Sequence, residues 1–172
     1  MHRPPLRLRY DEVPSPIGKI LVVLLDEHLA ALDFEGYSDR LHRLLERRFG
    51  QYALSNERNP AGIRVTIGDY FDGSLSALGK ASLASYGSPF QERAWQALRT
   101  IPPGQCATYA EQAVKIGAPK AARAVGHANA LNPIAIAIPC HRVIGTSRSL
   151  TGYAGGLDRK RWLLAHEGVD LE

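Results

Sequence analysis

The sequence predicts two unlike domains, an α/β domain over residues 1–85 and a mainly helical domain over residues 86–172. Strand and turn signals alternate through the first third of the chain, and helix-start signals dominate its second half. Between them, residues 75–88 are rich in Ser and Gly and predict a linker. A chain of 172 residues is long enough for two small domains that share an interface.

The first domain is predicted to contain a small antiparallel sheet. Leu6, Leu8 and Tyr10 alternate with arginine, which is the pattern of a half-buried strand. The apolar run at residues 20–25 predicts a second strand, buried on both faces, and residues 29–34 predict a third. Only short turns separate these segments, and connections of that length join antiparallel strands.

Two helices are predicted to cover this sheet. Ser38 has the side chain of an N-cap, and Asn59 is an N-cap candidate that Pro60 follows at the first helical position. Apolar residues at helical spacing continue both segments. They are Leu41, Leu44, Leu45 and Phe49 in the first helix, and Ile63, Ile67 and Tyr70 in the second.

Capping boxes at residues 88–91 and 108–111 mark two helix starts in the second domain. Gly117 is predicted to end the second of these helices, and a third is predicted from Pro119 to about Asn129. Two short helices joined by a tight glycine-containing turn are typical of a helix-turn-helix. An ordinary helical hairpin has the same pattern, so spacing alone leaves both interpretations open.

The rest of the second domain alternates between extended and irregular segments. Residues 134–138 predict an extended stretch that Pro139 terminates, and residues 146–156 predict an exposed loop rich in Ser, Thr and Gly. Asp158 is predicted to cap a last helix that stops at Gly168.

Composition narrows the class of protein. The net charge of +4 comes entirely from residues 86–172, which favours a polyanionic partner such as nucleic acid, although a solvated basic face is the alternative. The run at 20–25 is far shorter than the ~20 residues of a membrane span. The first residues lack a signal-peptide core, so a cytoplasmic protein is expected. The cysteines form no CxxC pair and the histidines no ligand-like cluster, so free thiols and no metal site are expected.

The sharpest chemical feature is Cys140, which His141 and Arg142 follow directly. A thiol is a weak nucleophile near neutral pH unless its pKa is lowered or a base removes its proton. Neighbouring side chains of an extended chain point to opposite sides, so a bridging water would be needed between the sulfur and the imidazole. A carboxylate behind the imidazole would fix its tautomer. A Cys-His pair by itself is also compatible with a purely structural role.

Four segments of the second domain resemble the motifs of the 6-O-alkylguanine-DNA alkyltransferases. They are Lys120-Ala121-Ala122-Arg123-Ala124-Val125-Gly126, residues 132–144 with Pro139-Cys140-His141-Arg142-Val143, Gly152-Tyr153-Ala154-Gly155-Gly156-Leu157 and Trp162-Leu163-Leu164-Ala165-His166-Glu167-Gly168. In the first domain, Ser15-Pro16-Ile17-Gly18 and Asp69-Tyr70-Phe71 also fit. The resemblance implies an RNase H-like first domain and a second domain with a winged helix-turn-helix-like motif.

The resemblance implies direct-reversal DNA repair by a single-turnover cysteine S-methyltransferase that needs no cofactor. Cys140 would accept a methyl or larger alkyl group from the O6 oxygen of guanine, and also from the O4 oxygen of thymine. His141 would take the thiol proton through a water, Glu167 would orient the imidazole, and Asn132 would hold the turn around the cysteine. The resulting thioether cannot be reversed, so each molecule would act once.

The partner implied by the resemblance is duplex DNA, entered through the minor groove, with the damaged base flipped out. Arg123 would fill the vacated place, while Tyr109 would crowd the backbone phosphate and donate a hydrogen bond to the guanine. Ala122 would allow close approach to the groove. Phosphate contacts are expected from Lys120, Arg142 and Arg148.

The base and alkyl pocket is expected to consist of Tyr153 together with backbone groups of Cys140, Val143 and Ala154. His127 and Asn129 would tune access to it. Because no metal-binding or transcription-activating segment precedes the first domain, a stand-alone bacterial protein is expected. A monomer is expected as well, because a reagent consumed once at an isolated lesion gains nothing from twofold symmetry. Three alternatives stay open: a cysteine hydrolase, a DNA-binding regulator and a non-catalytic damage binder. Relatives of the last kind have another residue in place of the acceptor cysteine.

Overall fold

The computed structural model describes residues 3–84 and 87–171. In the first domain the elements are β1 (Leu6–Val13), β2 (Ile20–Leu25), β3 (His28–Phe34), α1 (Ser38–Phe49), β4 (Tyr52–Asn56) and α2 (Ile63–Phe71). In the second they are α3 (Pro89–Arg99), β5 (Ala107–Thr108), α4 (Tyr109–Lys115), α5 (Ala122–Ala130), β6 (Val143–Ile144) and α6 (Leu157–His166). Single 3₁₀ turns lie at Pro60–Gly62, Leu78–Lys80 and Cys140–Arg142.

The sheet of the first domain is mixed, not wholly antiparallel as predicted. Its strand order is β3-β2-β1-β4; β1, β2 and β3 are antiparallel neighbours, whereas β4 pairs in parallel with β1. The parallel direction follows from α1, which carries the chain back across the sheet before β4 begins. β4 was not predicted, because this edge strand is short and mostly exposed, and only Tyr52 and Leu54 carry its alternating apolar pattern.

The two faces of the sheet are buried against different partners. On one face Leu8, Val23 and Ala31 pack with Leu41 and Leu45 of α1. The other face shares one apolar core with α2 and with the second domain. That core includes Val22, Leu24, Leu32 and Phe34 from the sheet, Ile63, Ile67 and Tyr70 from α2, and Trp95, Leu98, Ile134 and Ile138 from the second domain.

The second domain adds a short backbone segment to the edge of this sheet. The Leu32 N–H donates to the Pro133 carbonyl at 3.1 Å, and the Ala135 N–H donates to the Leu32 carbonyl at 3.0 Å. These bonds fix the chain just before Cys140 against β3. Residues 134–138 therefore form a tight turn within the interface, and the prediction of an extended stretch is wrong.

Both predicted capping boxes are confirmed, at Ser88 for α3 and at Thr108 for α4. Other predicted boundaries shift. α1 has Tyr37 at its N-cap and not Ser38, α5 starts at Ala122 and not at Pro119, and α6 has Gly156 and not Asp158 before its first residue. Asn59 precedes a 3₁₀ turn, and α2 proper begins only after Gly62.

α4 and α5 pack together as the predicted pair of short helices, and α3 packs on α5. β5 and β6 form a small parallel pair that the sequence did not predict. The proposed domain boundary falls between Ser85 and Tyr86, which lie outside the described residues, as do Met1 and His2 at the start of the chain. Across residues 3–84 and 87–171, the helices are too short or too polar for any of them to cross a membrane.

Candidate active site

Cys140 lies on a turn that the side chain of Asn132 holds together. The Asn132 amide Nδ2 donates to the Ile138 carbonyl at 2.7 Å and to the Cys140 Sγ at 3.2 Å, while its Oδ1 accepts from the Ile134 N–H at 3.0 Å. Ile136, inside this turn, has φ +68°, an uncommon conformation for a β-branched residue. One asparagine therefore closes a strained turn and reaches the sulfur.

The 3₁₀ turn that begins at Cys140 directs His141 into the protein. The imidazole is completely buried, and its Nε2 lies 2.8 Å from the Oε1 atom of Glu167 at the end of α6. An ionised carboxylate only accepts hydrogen bonds, so Nε2 carries the proton and Nδ1 presents a lone pair. The described residues offer Nδ1 no hydrogen-bond partner, which leaves it able to accept a proton.

Glu167 is also held by Arg142. The guanidinium donates from Nε to Oε2 at 2.9 Å and from Nη2 to Oε1 at 2.8 Å, and its Nη1 donates to the Ile101 carbonyl at 2.7 Å. Arg142 is only 6% exposed. The expectation that it contacts DNA phosphate is therefore wrong, because its donors already serve buried protein oxygens.

Burial and hydrogen bonding set the protonation states of the site in opposite directions. Burial raises the pKa of the Cys140 thiol, and the hydrogen bond from Asn132 offsets this only in part. Burial likewise lowers the pKa of His141, against the opposing effect of Glu167. For Glu167, burial favours the protonated form, but the hydrogen bonds from Arg142 and His141 outweigh it and keep the pKa well below its ordinary value. The resting site thus holds a thiol, a neutral imidazole and a carboxylate.

Lys160 is a functional candidate that was missed in the sequence. It is fully buried, and its Nζ donates to the carbonyl oxygens of Val143, Thr151 at 2.8 Å and Gly152 at 3.3 Å. It thereby ties β6 to the loop that carries Tyr153. Burial lowers the pKa of Lys160 to about 8. Its spacing to Leu163, Leu164 and Glu167 places it on the buried stripe of α6, and that was the available signal.

The expected pocket residues lie on the loop at 145–156 or just before it. The Tyr153 ring packs on Phe34 of β3 with ring centroids 6.1 Å apart, and its buried hydroxyl has no hydrogen-bond partner within the described part of the chain. A Cβ atom at Gly155 would lie 2.5 Å from the Phe34 ring, so glycine is required there. Ala154, within the loop, is half-buried, and Val143, just before the loop, is fully buried.

Tyr109 lies between the helix pair and the same loop. Its hydroxyl donates to the Thr151 carbonyl at 3.3 Å, and its ring is close enough to Gly126 that an added Cβ would lie 3.7 Å away. In the same domain, Arg123, Lys120, Arg148 and His127 are exposed, and Ala122 is half-buried. Tyr109 therefore lies at the site, whereas Arg123, Lys120 and Arg148 face the solvent.

Asn129 is buried between the two short helices. It is 7% exposed and exchanges two hydrogen bonds with Gln112 of α4, at 2.9 and 2.8 Å. It therefore joins the two short helices, and its expected role in pocket access stays a prediction. Among the described residues no three His, Cys, Asp or Glu side chains cluster in a way that could hold a metal ion.

Comparison with known proteins agrees with this geometry. Residues 8–83 match the model described as "6-O-methylguanine DNA methyltransferase, ribonuclease-like domain", and residues 89–169 match the DNA binding domain of the same proteins. The chain belongs to the 6-O-methylguanine-DNA methyltransferase family. The methylated-DNA–protein-cysteine methyltransferase of Salmonella typhimurium is 46% identical over 169 residues, covering 96% of this chain and 99% of that protein.

Solved structures of the family have the same fold. The O6-methylguanine methyltransferase of Mycobacterium tuberculosis matches with a TM-score of 0.76 at 40% identity, over 93% of this chain and 92% of that one. A crystal structure of the Mycobacterium tuberculosis protein in complex with DNA matches with the same TM-score of 0.76 at 38% identity, over 94% of this chain and 92% of that one. The two-domain methyltransferase fold is therefore confirmed.

Proposed function

We propose that this methyltransferase repairs DNA by moving an alkyl group from the O6 oxygen of guanine to the sulfur of Cys140. The observation that carries the proposal is the order of contacts behind the sulfur. Asn132 donates to Sγ, and His141, which follows Cys140, is buried with an Nδ1 that has no partner among the described residues. Glu167 accepts the Nε2–H of His141. This is the nucleophile, base and orienter arrangement of an activated thiol.

The transfer needs a base because burial keeps the resting thiol protonated. His141 accepts the proton through a water at Nδ1, and the thiolate attacks the saturated carbon bonded to O6. The S–C bond forms as the C–O6 bond breaks, the electron pair leaves with guanine, and the proton that His141 took from the thiol passes to the guanine. No group in the site can cleave the thioether, so one alkyl group is transferred per molecule without a cofactor. The O4 oxygen of thymine is a second, chemically similar donor.

Binding is proposed to occur on duplex DNA through α4 and α5. A relative of the same fold has been solved in complex with DNA, and Arg123, Lys120 and Arg148 are exposed cations in the second domain. Arg123 would replace the flipped base, Tyr109 would promote its rotation, and Ala122 would let α5 approach the minor groove. Arg142, which the structure buries, has no part in this surface.

The flipped guanine would enter beside Tyr153, with hydrogen bonds to backbone groups of Cys140, Val143 and Ala154. The Val143 carbonyl oxygen accepts a hydrogen bond from Lys160. A carbonyl oxygen has two lone pairs, so a second hydrogen bond from the guanine is proposed at the same atom. The protein would act as a monomer, with residues 1–85 and 86–172 as its two domains. A reducing compartment such as the cytoplasm follows from the requirement that Cys140 remain a thiol.

The deciding experiment is intact-protein mass spectrometry after incubation with a duplex carrying one 6-O-methylguanine. The expected result is a single methyl-sized mass increase that stops at one equivalent and maps to Cys140. Cys140→Ser is expected to gain no mass, and Cys106→Ser, which removes the other half-buried thiol, is expected to react like the wild type. Repeated turnover would indicate a hydrolase, and tight binding without mass change would indicate a damage binder.

A further inference from the structure

The first domain contributes a side chain to the group that orients the base. Tyr70, the penultimate residue of α2, is fully buried, and its hydroxyl donates to the Oε1 atom of Glu167 at 2.8 Å. This is the same oxygen that accepts from His141 at 2.8 Å. The contact spans 97 positions of sequence and crosses the domain interface.

We propose that Tyr70 is a positioning residue for the transfer reaction: through its hydroxyl the first domain fixes the Glu167 carboxylate that orients His141. The inference rests on the proposed function of Cys140 and His141 and extends it to a residue outside the active-site motif. Tyr70 would contact neither DNA nor the reacting atoms.

The packing around Tyr70 holds the hydroxyl in place. Its ring meets Phe71 edge-on at 5.1 Å between centroids and His166 of α6 at 5.2 Å. His166 Nε2 in turn donates to the Tyr70 carbonyl at 2.8 Å. Tyr70 is thus attached twice to the end of α6. Its hydroxyl bonds Glu167, and its backbone carbonyl bonds the neighbouring His166.

The Tyr70 hydroxyl is the third donor to Glu167 Oε1, after His141 and Arg142, and it weakens the hold of this oxygen on the His141 proton. Arg142 holds the carboxylate through its bonds to Oε2 and Oε1, and Tyr70 restrains Oε1 from the side of the first domain. Tyr70 then competes with the His141 Nε2–H for the charge on Oε1, and a carboxylate oxygen divided among more donors attracts each proton less strongly. Removal of the hydroxyl should strengthen the His141–Glu167 bond and make the imidazole more basic.

The charged and titratable groups that face His141 come from several elements. Lys160 lies on α6 and Glu167 at the end of that helix, while Arg142 and Cys140 belong to the same 3₁₀ turn as His141. Glu167 favours the imidazolium form, while burial and the cations Arg142 and Lys160 oppose it. Tyr70→Phe changes none of these charges, so a change in the His141 titration would report the hydroxyl alone.

The test compares Tyr70→Phe with Tyr52→Phe, which removes a hydroxyl from β4 that contacts His42 far from the site. Nitrogen-15 NMR of the imidazole in the free protein measures the protonation of His141 against pH. Single-turnover transfer from a 6-O-methylguanine duplex is measured over the same pH range. Tyr70→Phe is expected to titrate His141 at higher pH, to shift the acid limb of the rate profile with it, and to slow the plateau rate about tenfold.

The NMR titration decides the proposal. A wild-type His141 titration in Tyr70→Phe would overturn it, even if the variant were less stable or slower. A higher titration pH in Tyr70→Phe, with Tyr52→Phe unchanged, supports it. If the wild-type protein transfers no methyl group, the proposed function fails, and the NMR comparison still tests whether Tyr70 positions the Glu167–His141 pair.

Discussion

At the scale of single residues, hydrogen bonds made by buried polar groups account for the reactive turn. Asn132 makes three contacts with backbone and sulfur, and Glu167 receives donors from Tyr70, His141 and Arg142. Each of these hydrogen bonds is costly to disrupt, because leaving a buried donor or acceptor without a partner destabilises the folded protein by about 1–3 kcal/mol. The same bonds hold the thiol and the base in place, so stability and reactivity depend on the same atoms.

Asn132→Ala is expected to raise the pKa of the Cys140 thiol, because the donor that favours the thiolate is lost. It should also lower the free energy of unfolding by about 1–3 kcal/mol. Thiolate absorbance against pH, in a Cys106→Ser background, measures the first effect, and urea unfolding measures the second. Asn56→Ala, at an exposed position of β4, is the control. A thiol pKa at or below the wild-type value would contradict the assigned role.

At the scale of elements, buried polar pairs fix how the helices meet. The Trp95 Nε1–H donates to the Ala128 carbonyl at 2.9 Å, which anchors α3 to the C-terminal part of α5. Gln112 and Asn129 exchange amide hydrogen bonds between α4 and α5, and Gln112 also donates to the Ala94 carbonyl at 3.1 Å. The orientation of the proposed DNA-binding helices therefore depends on amide geometry in addition to apolar packing.

Gln112→Leu and Asn129→Leu are each expected to lower the free energy of unfolding by about 1–3 kcal/mol, because each leaves a buried amide without its partner. The double variant should lose less than the sum of the two, since both unpaired groups are removed together. Urea unfolding of the four proteins completes the cycle. Additive losses would show that the pair does not couple α4 to α5.

At the scale of the whole molecule, the active site lies where the two domains share a core. Segment 133–135 bonds to β3, Tyr70 bonds to Glu167, and Tyr153 packs on Phe34. Lys160 then bonds the carbonyls of three separate residues from inside α6. A buried cation at this junction makes the stability of the protein depend on pH.

Lys160 has a folded-state pKa of about 8 against an ordinary value of 10.5. Between these values the unfolded chain binds a proton that the folded chain does not, so the contribution of Lys160 to stability rises with pH across that window. Relative to Lys160→Met, the wild-type free energy of unfolding should increase from pH 8 to 10.5 by at most about 3 kcal/mol.

Urea unfolding at several pH values measures this difference, and Lys80→Met, which removes an exposed lysine, controls for the loss of one positive charge. A difference that is flat or falls across the window would mean that the buried amine stays protonated. In that case its three carbonyl acceptors would outweigh the cost of burying the charge.

By itself, the sequence determined the features that local chemistry specifies. The capping boxes at Ser88 and Thr108, the strand at 20–25 and the stripe of Ile63, Ile67 and Tyr70 were all predicted, because neighbouring residues carry those signals. The family, and with it the pairing of His141 with Glu167, followed from motifs that lie close to Cys140 or at fixed spacing from it.

Only the tertiary structure decided the features that depend on distant partners. The parallel pairing of β4, the burial of Arg142 and Lys160, the Gln112–Asn129 pair and the contact of Tyr70 with Glu167 join residues far apart in the chain or remove charges from water. A charged residue such as Arg142 is normally exposed, and its burial is favourable only because Glu167 and the Ile101 carbonyl receive its donors. No local pattern encodes that arrangement, because it exists only once the two domains have packed together.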